Sequence, residues 1–400
     1  MEPKEMVPPW RTSLLERAKC LELRPEEIRR YSRHLLIPEV TVEGQKQIKA
    51  ARVLVVGAGG LGSPVLAYLA AAGVGTLGIV DFDQVSLSNL QRQILHSDRT
   101  VGKSKVESAE AFIRDRNPWT EVEAITQPFG LDNAEELVGR YDLVVDGTDN
   151  FATRYLINDS CFFAGKPYVY GSIFRFYGQV SVFGLADGPC YRCLQPEPPD
   201  PGTVPTCAEG GVFGVLAGLI GSLQAAEALK LICNLGRPMS GKLLVAELAS
   251  AKFKEVRIRK DPECSLCGKQ PTITSLKQTA ETCDLATPET SSHLASNDIL
   301  PQDLQSAMES QQPPVILDVR NPEELRINRI PSAISFPLTE LTERLHSLDS
   351  ARAYVVVCKG DQRTRKAIQL LRDAGFQRVQ ALAGGIDAWV EEVDPSQPLY

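Results

Sequence analysis

The stretch Val53–Gly62, VLVVGAGGLG, constrains this chain more than any other. A β-branched run passes through Gly57, Gly59 and Gly62 into a helix start, the GxGxxG spacing of a nucleotide-binding βα turn. Gly57 permits the tight turn, Gly59 lets a phosphate approach the backbone with no Cβ in the way, and Gly62 lets helix and strand pack closely. The free N–H groups and positive dipole end of the helix face that phosphate. Asp81, closing the next apolar run about twenty residues on, can accept hydrogen bonds from ribose hydroxyls. NAD, FAD and ATP all carry ribose and phosphate, so the glycines alone point to a dehydrogenase, and the choice falls to residues further along.

Strands and helices alternate around this turn. Residues 52–56, 76–81, 121–126 and 141–146 read as strands, with helices near 60–72 and 102–116, which implies a largely parallel sheet. Before them lies a polar N-terminal segment, then a helix, a turn and a second helix in RRYSRHLLIPEVTVEGQKQIKAA. PYVYGS and GQVSVFG read as an antiparallel extension, and KLLVAEL and KFKEVRI close the unit. QPEPPDPGTVP is a proline-rich loop that delivers Thr206 and Cys207 to an apolar helix, residues 212–233. Gln224, Glu227 and Lys230 interrupt that helix, so it reads as buried in a fold and not as a membrane span. Residues 272–297, rich in Thr, Ser and Glu, read as a linker. A smaller α/β unit follows, with strands at 315–319, 354–357 and 378–382 and a helix at 364–374.

A chain of 400 residues with net charge -7 has the length for two or three domains, and its charge argues against nucleic acid or an anionic membrane as the main partner. The first residues have no apolar core of the signal-peptide kind, making a cytoplasmic location the default. Ten cysteines without an export signal point to metal or thiol chemistry and not to a disulfide framework. Cys190/Cys193 and Cys264/Cys267 are CxxC pairs, whose four thiolates match a tetrahedral structural zinc; two redox-active pairs are the alternative. Cys207, ahead of Gly210, Gly211 and a helix, is either a nucleophile whose pKa the helix start lowers or a small buried hydrophobe. Cys20, Cys161, Cys233 and Cys283 read as packing or surface residues.

Downstream of Asp81, DFDQVSLSNLQRQ decides the nucleotide. Asn89, Arg92 and Gln93, with Lys105 one turn into the next helix, supply donors and cations suited to a triphosphate, whereas nicotinamide wants a neutral surface. In DGTDNFATR, Asp146 and Asp149 stand at the carboxyl end of the sheet, where open α/β folds bind ligands, and Asp149 could hold Mg2+.

These motifs, in order over residues 25–268, resemble the MoeB/ThiF family, relatives of ubiquitin-activating enzymes that adenylate the C-terminal glycine of small ubiquitin-like sulfur carriers. The resemblance implies a Rossmann-like α/β adenylyltransferase domain. By that match Gly60, Asp81, Ser88, Asn89, Leu90, Gln91, Arg92, Lys105, Asp149 and Asn150 bind ATP. TCAEGG resembles the family's loop cysteine, and Arg33, in YSRHL, resembles the arginine that reaches into a neighbouring subunit's site, implying a homodimer.

In the C-terminal unit, strand YVVV ends at Cys358, before KGDQRTR and a helix, an arrangement that turns backbone N–H groups around the sulfur. With LDVRNPEE and AGGIDAW, residues 298–400 resemble a rhodanese domain, whose persulfide on Cys358 would be stabilised by the loop amides and by Lys359 or Arg363. Dual-specificity phosphatases of related fold read C-x5-R, but here Arg363 follows after four intervening residues, a loop too short for phosphate. Where rhodanese domains read HIPGA, this chain has Arg329, Ile330, Pro331, Ser332 and Ala333.

The implied organisation is an N-terminal extension at 1–24, an adenylyltransferase domain at 25–270, a linker at 271–297 and a rhodanese-like domain at 298–400. The implied activity is ATP-dependent adenylylation of a carrier ending in Gly-Gly, then sulfur transfer from Cys358 and resolution by Cys207, with thiosulfate or a cysteine desulfurase as donor. An activating enzyme working through a thioester on Cys207 is the alternative. Molybdenum cofactor, thiamine, cysteine and tRNA thiolation pathways all use such carriers.

Overall fold

The computed structural model describes residues 7–199, 210–276, 298–359 and 362–400. The chain divides into two compact units, Met1–Asp284 and Leu285–Tyr400.

In the first unit eight strands form one sheet in the order β3-β2-β1-β4-β5-β6-β7-β8. Arg52–Val56 (β1), Thr76–Val80 (β2), Glu121–Ile125 (β3), Leu143–Asp146 (β4) and Tyr168–Phe174 (β5) run parallel. β1, β2 and β4 are near-continuous apolar runs because helices cover both faces of a parallel sheet. Tyr177–Phe183 (β6), Lys242–Glu247 (β7) and Lys252–Arg257 (β8) add the expected antiparallel extension, and β8 is exposed along its whole length. Strand order reverses between β1 and β4, so the crevice for a ligand opens at their carboxyl ends.

The helix Gly214–Cys233 is the one helix among the described residues long and apolar enough to cross a membrane. It packs instead against β5, β6 and the helix Gly62–Ala72. Leu216, Ile220, Ala228 and Ile232 are buried there, and the two isoleucines and the leucine contribute about 1.5–3 kcal/mol each. Its buried Gln224 is tied to the sheet through its amide nitrogen: Nε2 donates to the Asp146 carbonyl at 2.7 Å.

The N-terminal segment is not merely polar, and the sequence reading missed a helix there. Pro9–Lys19 is helical and buries Trp10, Leu14 and Ala18, a spacing that puts all three on one face. Arg17 pairs with Asp142 at 2.5 Å, and Arg11 Nη1 donates to the Leu231 carbonyl at 2.6 Å. Those contacts tie the segment to the core of the first unit. Residues 277–297 of the expected linker lie outside the described residues.

The second unit has a four-stranded parallel sheet, β10-β9-β11-β12: Val315–Asp318 (β9), Ile334–Ser335 (β10), Tyr354–Val357 (β11) and Val379–Ala381 (β12). The helix Gln362–Asp373 packs on β11 and β12. The departure at 329–333 is visible in the backbone, because Ser332 takes φ 64°, the left-handed region where glycine costs nothing.

Candidate functional site

Four glycines of the β1 turn divide into two kinds. Gly57 has φ +98°, and a Cβ there would lie 2.7 Å from the Gly147 carbonyl oxygen at the end of β4. At Gly62 a Cβ would fall 1.9 Å from the Gly57 oxygen. Both are required by the protein's own backbone. At Gly59 and Gly60 the nearest atoms would be Gln93 Nε2 at 3.5 Å and Ala217 Cβ at 3.4 Å. Nothing in the fold forbids a side chain at these two positions, which leaves room over the turn for a ligand.

The polar groups gather on this turn. The Asp81 carboxylate accepts from the Ala58 N–H at 2.8 Å and the Asp83 N–H at 2.9 Å, bracing the glycine loop. Burial pushes its pKa up, against the opposing pull of Lys105 and those two N–H groups. Arg92 lies with its stem beside Gly60 and donates to the Ser88 carbonyl at 3.0 Å. Asn89 Oδ1 accepts from the Ser86 N–H at 3.1 Å, so its carbonyl shapes the loop. Gln93 is buried beside Gly59, with Oε1 lacking a partner among the described residues. Ser88 and Gln91 are exposed and Leu90 half-buried.

Lys105 is the first residue of the helix Lys105–Arg116, one turn earlier than expected, and its Nζ lies 2.6 Å from Asp83 Oδ2. The side chain is buried while Asp83 is half exposed, so Asp83 holds the ammonium in place. Asp83 was not singled out from the sequence, and neither was His96. His96 bridges the Ala58 carbonyl (Nε2, 3.1 Å) and the Ser108 hydroxyl (Nδ1, 2.9 Å). Burial lowers its pKa, and the neutral ring ties the glycine turn to the Lys105 helix. A lone histidine three residues after Gln93 was the only sequence signal.

At the end of β4 the two aspartates part company. Asp146 is fully buried, accepts from Thr148 N and Oγ1 at 2.9 and 2.6 Å, and faces Arg154 at 3.4 Å. Asp149 and Asn150 are exposed, and Asn150 caps the helix Phe151–Ala164 by accepting from Thr153 N at 2.9 Å. Arg33 is exposed on the short helix Ser32–Leu35. Its near neighbour Tyr31 packs on Gly73, at the opposite end of the helix Gly62–Ala72 from the glycine turn. No polar contact among the described residues ties Arg33 to that turn. Cys207 lies outside the described residues.

The two CxxC pairs meet. Cys190 Sγ lies 3.6 Å from Cys264 Sγ and 4.0 Å from Cys193 Sγ, and Cys193 Sγ lies 3.3 Å from Cys267 Sγ. All four sulfurs fall within 4.8 Å of one another, and none is in a disulfide. Zn–S bonds of about 2.3 Å in a tetrahedron place sulfurs about 3.8 Å apart. An all-sulfur donor set with that spacing fits zinc, and the Asp261 N–H, 3.4 Å from Cys193 Sγ, supplies an outer hydrogen bond.

In the second unit Cys358 follows β11 and is buried, and its Sγ accepts from Thr364 Oγ1 at 2.9 Å. Gly360 and Asp361, whose amides were expected to face the sulfur, lie outside the described residues. The two cations named from sequence are anchored: Arg363 forks onto Glu324 at 2.8 and 2.9 Å, and Lys359 Nζ stands 4.0 Å over the Tyr400 ring. Neither Glu324 nor Tyr400 carried a sequence signal for this.

A phosphate-type turn fitted with cations, a four-sulfur knuckle and a second unit with a strand-end cysteine together define a nucleotide-dependent activating enzyme joined to a sulfur-handling domain. The chain belongs to the ThiF family, which it matches over residues 31–266, and it carries a rhodanese-like domain over residues 300–392. The probable adenylyltransferase/sulfurtransferase MoeZ of Mycobacterium tuberculosis is 45% identical over 395 residues, 97% of this chain and 98% of that protein. The adenylyltransferase and sulfurtransferase MOCS3 of Sus scrofa is 40% identical over 403 residues, 94% of this chain and 89% of that one. Among solved structures, E. coli MccB with ATP is similar at 25% identity and TM-score 0.52, over 60% of this chain and 74% of MccB. The chain is an adenylyltransferase and sulfurtransferase.

Proposed function

We propose that this enzyme adenylylates the C-terminal glycine of a ubiquitin-like carrier ending in Gly-Gly, then converts the activated carboxyl to a thiocarboxylate with sulfur carried on Cys358. The observation that supports it is the convergence of Arg92, Gln93 and the Lys105–Asp83 pair on a glycine turn whose Gly59 and Gly60 leave ligand room.

The carrier carboxylate attacks the α-phosphorus of ATP, and pyrophosphate leaves. Two anions approach in that step, so cations and N–H dipoles already aimed at the charge lower the barrier. Arg92 and Lys105 are those cations, with Ser88, Asn89, Leu90 and Gln91 forming the loop that carries Arg92. Asp149, exposed beside the turn while Asp146 is occupied by Arg154 and Thr148, would hold Mg2+, which supplies charge neutralisation on the phosphates. Asn150 completes the ATP-binding edge. Cys190, Cys193, Cys264 and Cys267 would hold Zn2+ as a structural ion. Arg33, exposed and away from its own turn, serves the site of a second copy in a homodimer.

The terminal sulfur of a Cys358 persulfide, loaded from thiosulfate or a cysteine desulfurase, then attacks the acyl-adenylate carbonyl and displaces AMP. Cys207 attacks the Cys358 sulfur of the resulting acyl disulfide, which frees the thiocarboxylate and leaves a Cys207–Cys358 disulfide for an external thiol to reduce. We place this activity in the cytoplasm.

Mass spectrometry of a Gly-Gly-ended carrier incubated with enzyme, ATP and thiosulfate tests the scheme. Arg92→Ala and Lys105→Ala lower carrier-dependent pyrophosphate exchange by roughly 100-fold or more. Cys358→Ala still adenylylates but forms no thiocarboxylate. Failure of the wild type to form any acyl-AMP would sink the proposal.

A further inference from the structure

Residues 397–400 fold back along the second unit. Asn328 Nδ2 donates to the Pro398 carbonyl at 2.8 Å. Gln397 accepts from the Arg329 N–H at 2.8 Å and donates to the Arg329 carbonyl at 3.0 Å. These bonds bring the half-buried Tyr400 against the groups that neighbour Cys358. Its hydroxyl donates to Glu324 Oε1 at 2.7 Å and accepts from Arg320 Nη1 at 3.1 Å. Burial pushes the Tyr400 pKa up, so the hydroxyl stays a donor.

The contacts form a chain from frame to nucleophile. Arg320 is fully buried and forks onto Asp318, the last residue of β9, at 2.7–3.2 Å. Asp318 is in register with Val357, the residue before Cys358. From that fixed point Tyr400 reaches Glu324, whose carboxylate takes both terminal nitrogens of Arg363, and Arg363 precedes the Thr364 that hydrogen-bonds the Cys358 sulfur. The Tyr400 ring meanwhile carries the ammonium of Lys359, the residue after Cys358. Both cations adjoining the nucleophile are thus held through one side chain. They are held differently: Glu324 takes Arg363 in a close ion pair, whereas Lys359 rests on an aromatic face with the Asp387 carboxylate as a more distant counter-charge.

We propose that Tyr400 is a positioning residue for sulfur transfer, orienting the Glu324–Arg363 pair with its hydroxyl and presenting the Lys359 charge with its ring. The inference rests on the reading that Cys358 carries the sulfur. In the loading step the Cys358 thiolate attacks the outer sulfur of thiosulfate. The new S–S bond forms as the bond to the sulfonate sulfur breaks, and sulfite leaves with the electron pair. A thiolate and a dianion must meet, so an available cation at a fixed place lowers the barrier, and one free to wander does not.

The test uses the full-length protein, with Tyr400→Phe and Tyr400→Leu. Two readouts are taken: steady-state transfer from thiosulfate to cyanide, and the pH dependence of iodoacetamide alkylation measured by mass spectrometry on the Cys358 peptide. Tyr400→Phe keeps the ring but loses both hydrogen bonds, lowering kcat about 5-fold and raising the alkylation midpoint by about half a pH unit. Tyr400→Leu also releases Lys359, raising the KM for thiosulfate about 5-fold. Carrier-dependent pyrophosphate exchange stays at the wild-type rate in both. A side chain that merely seals the unit would lower the active fraction while leaving KM and the midpoint untouched, and that result overturns the proposal. If the leucine variant does not fold, the alkylation midpoint of the isosteric phenylalanine variant decides between the two outcomes. Absence of thiosulfate transfer in the wild type would refute the sulfur-carrying role of Cys358, while the alkylation midpoints still decide the role of Tyr400.

Discussion

Replacing Gly60 and Gly62 in turn by alanine separates a glycine kept for a ligand from one kept for the fold. At Gly62 the new Cβ falls 1.9 Å from the Gly57 oxygen and 2.8 Å from its carbonyl carbon. Close C···O contacts are about 3.3 Å or longer, so the turn and the helix must separate by more than about 1 Å. Both are packed in the core, where forced expansion costs about 3 kcal/mol. At Gly60 the nearest atoms are Ala217 Cβ at 3.4 Å and Arg92 Cγ at 3.7 Å, ordinary contacts, and φ is not positive. Alanine there leaves stability unchanged or raises it by about 0.4–1 kcal/mol through the unfolded chain.

Its methyl nevertheless adds bulk to the turn beside Arg92, at the place proposed for the phosphate. Losing one hydrogen bond from a backbone N–H to a charged phosphate costs about 1.5–3 kcal/mol, which is about 10- to 150-fold in the Kd for ATP. Calorimetric melting and ATP titration on both variants read the two effects separately. Wild-type ATP affinity in Gly60→Ala, or wild-type melting in Gly62→Ala, would refute the division.

Zinc content near one per chain in the wild type should disappear in Cys264→Ser, as read by elemental analysis of the purified protein; a folded wild type free of metal would remove the site. Ser332→Gly relieves a left-handed backbone and should stabilise the second unit by about 0.5–1 kcal/mol in denaturant unfolding, with no gain if the corner has another conformation. His96 is held neutral by burial, with a folded pKa below the unfolded value of 6.5. The unfolded chain therefore takes up the proton first, so this stability is present above pH 6.5 and is lost as pH falls below it. His96→Gln should flatten the fall in stability between about pH 7.5 and 5.5, and an unchanged slope would count against the assignment.

Much of this protein could be read without coordinates because the features concerned are local. The parallel strands are short apolar runs, the glycine turn follows one of them directly, and each CxxC pair is a single turn of chain. What escaped reading was settled over long separations. The helix Pro9–Lys19 shows an apolar face of only Trp10, Leu14 and Ala18 among charged neighbours, and it becomes a core element only because the helical segments 41–50 and 225–233 accept that face. Lys105 and Arg363 were read as bare cations, since a sequence shows charge but not the carboxylate that will sit beside it.

By itself the sequence determined the class of fold, the position of the glycine turn on it and which two CxxC pairs stand as candidate ligands, all of which follow from residue type and periodicity within a few turns of chain. Tertiary structure alone decided which groups are anchored and which remain for a ligand. Asp83 holds Lys105 and Glu324 holds Arg363, Arg154 occupies Asp146 while Asp149 stays open, and Tyr400 comes to lie under Lys359. The physical reason is that the strength and direction of a charge depend on neighbours within a few ångströms, and folding chooses those neighbours from anywhere along the chain.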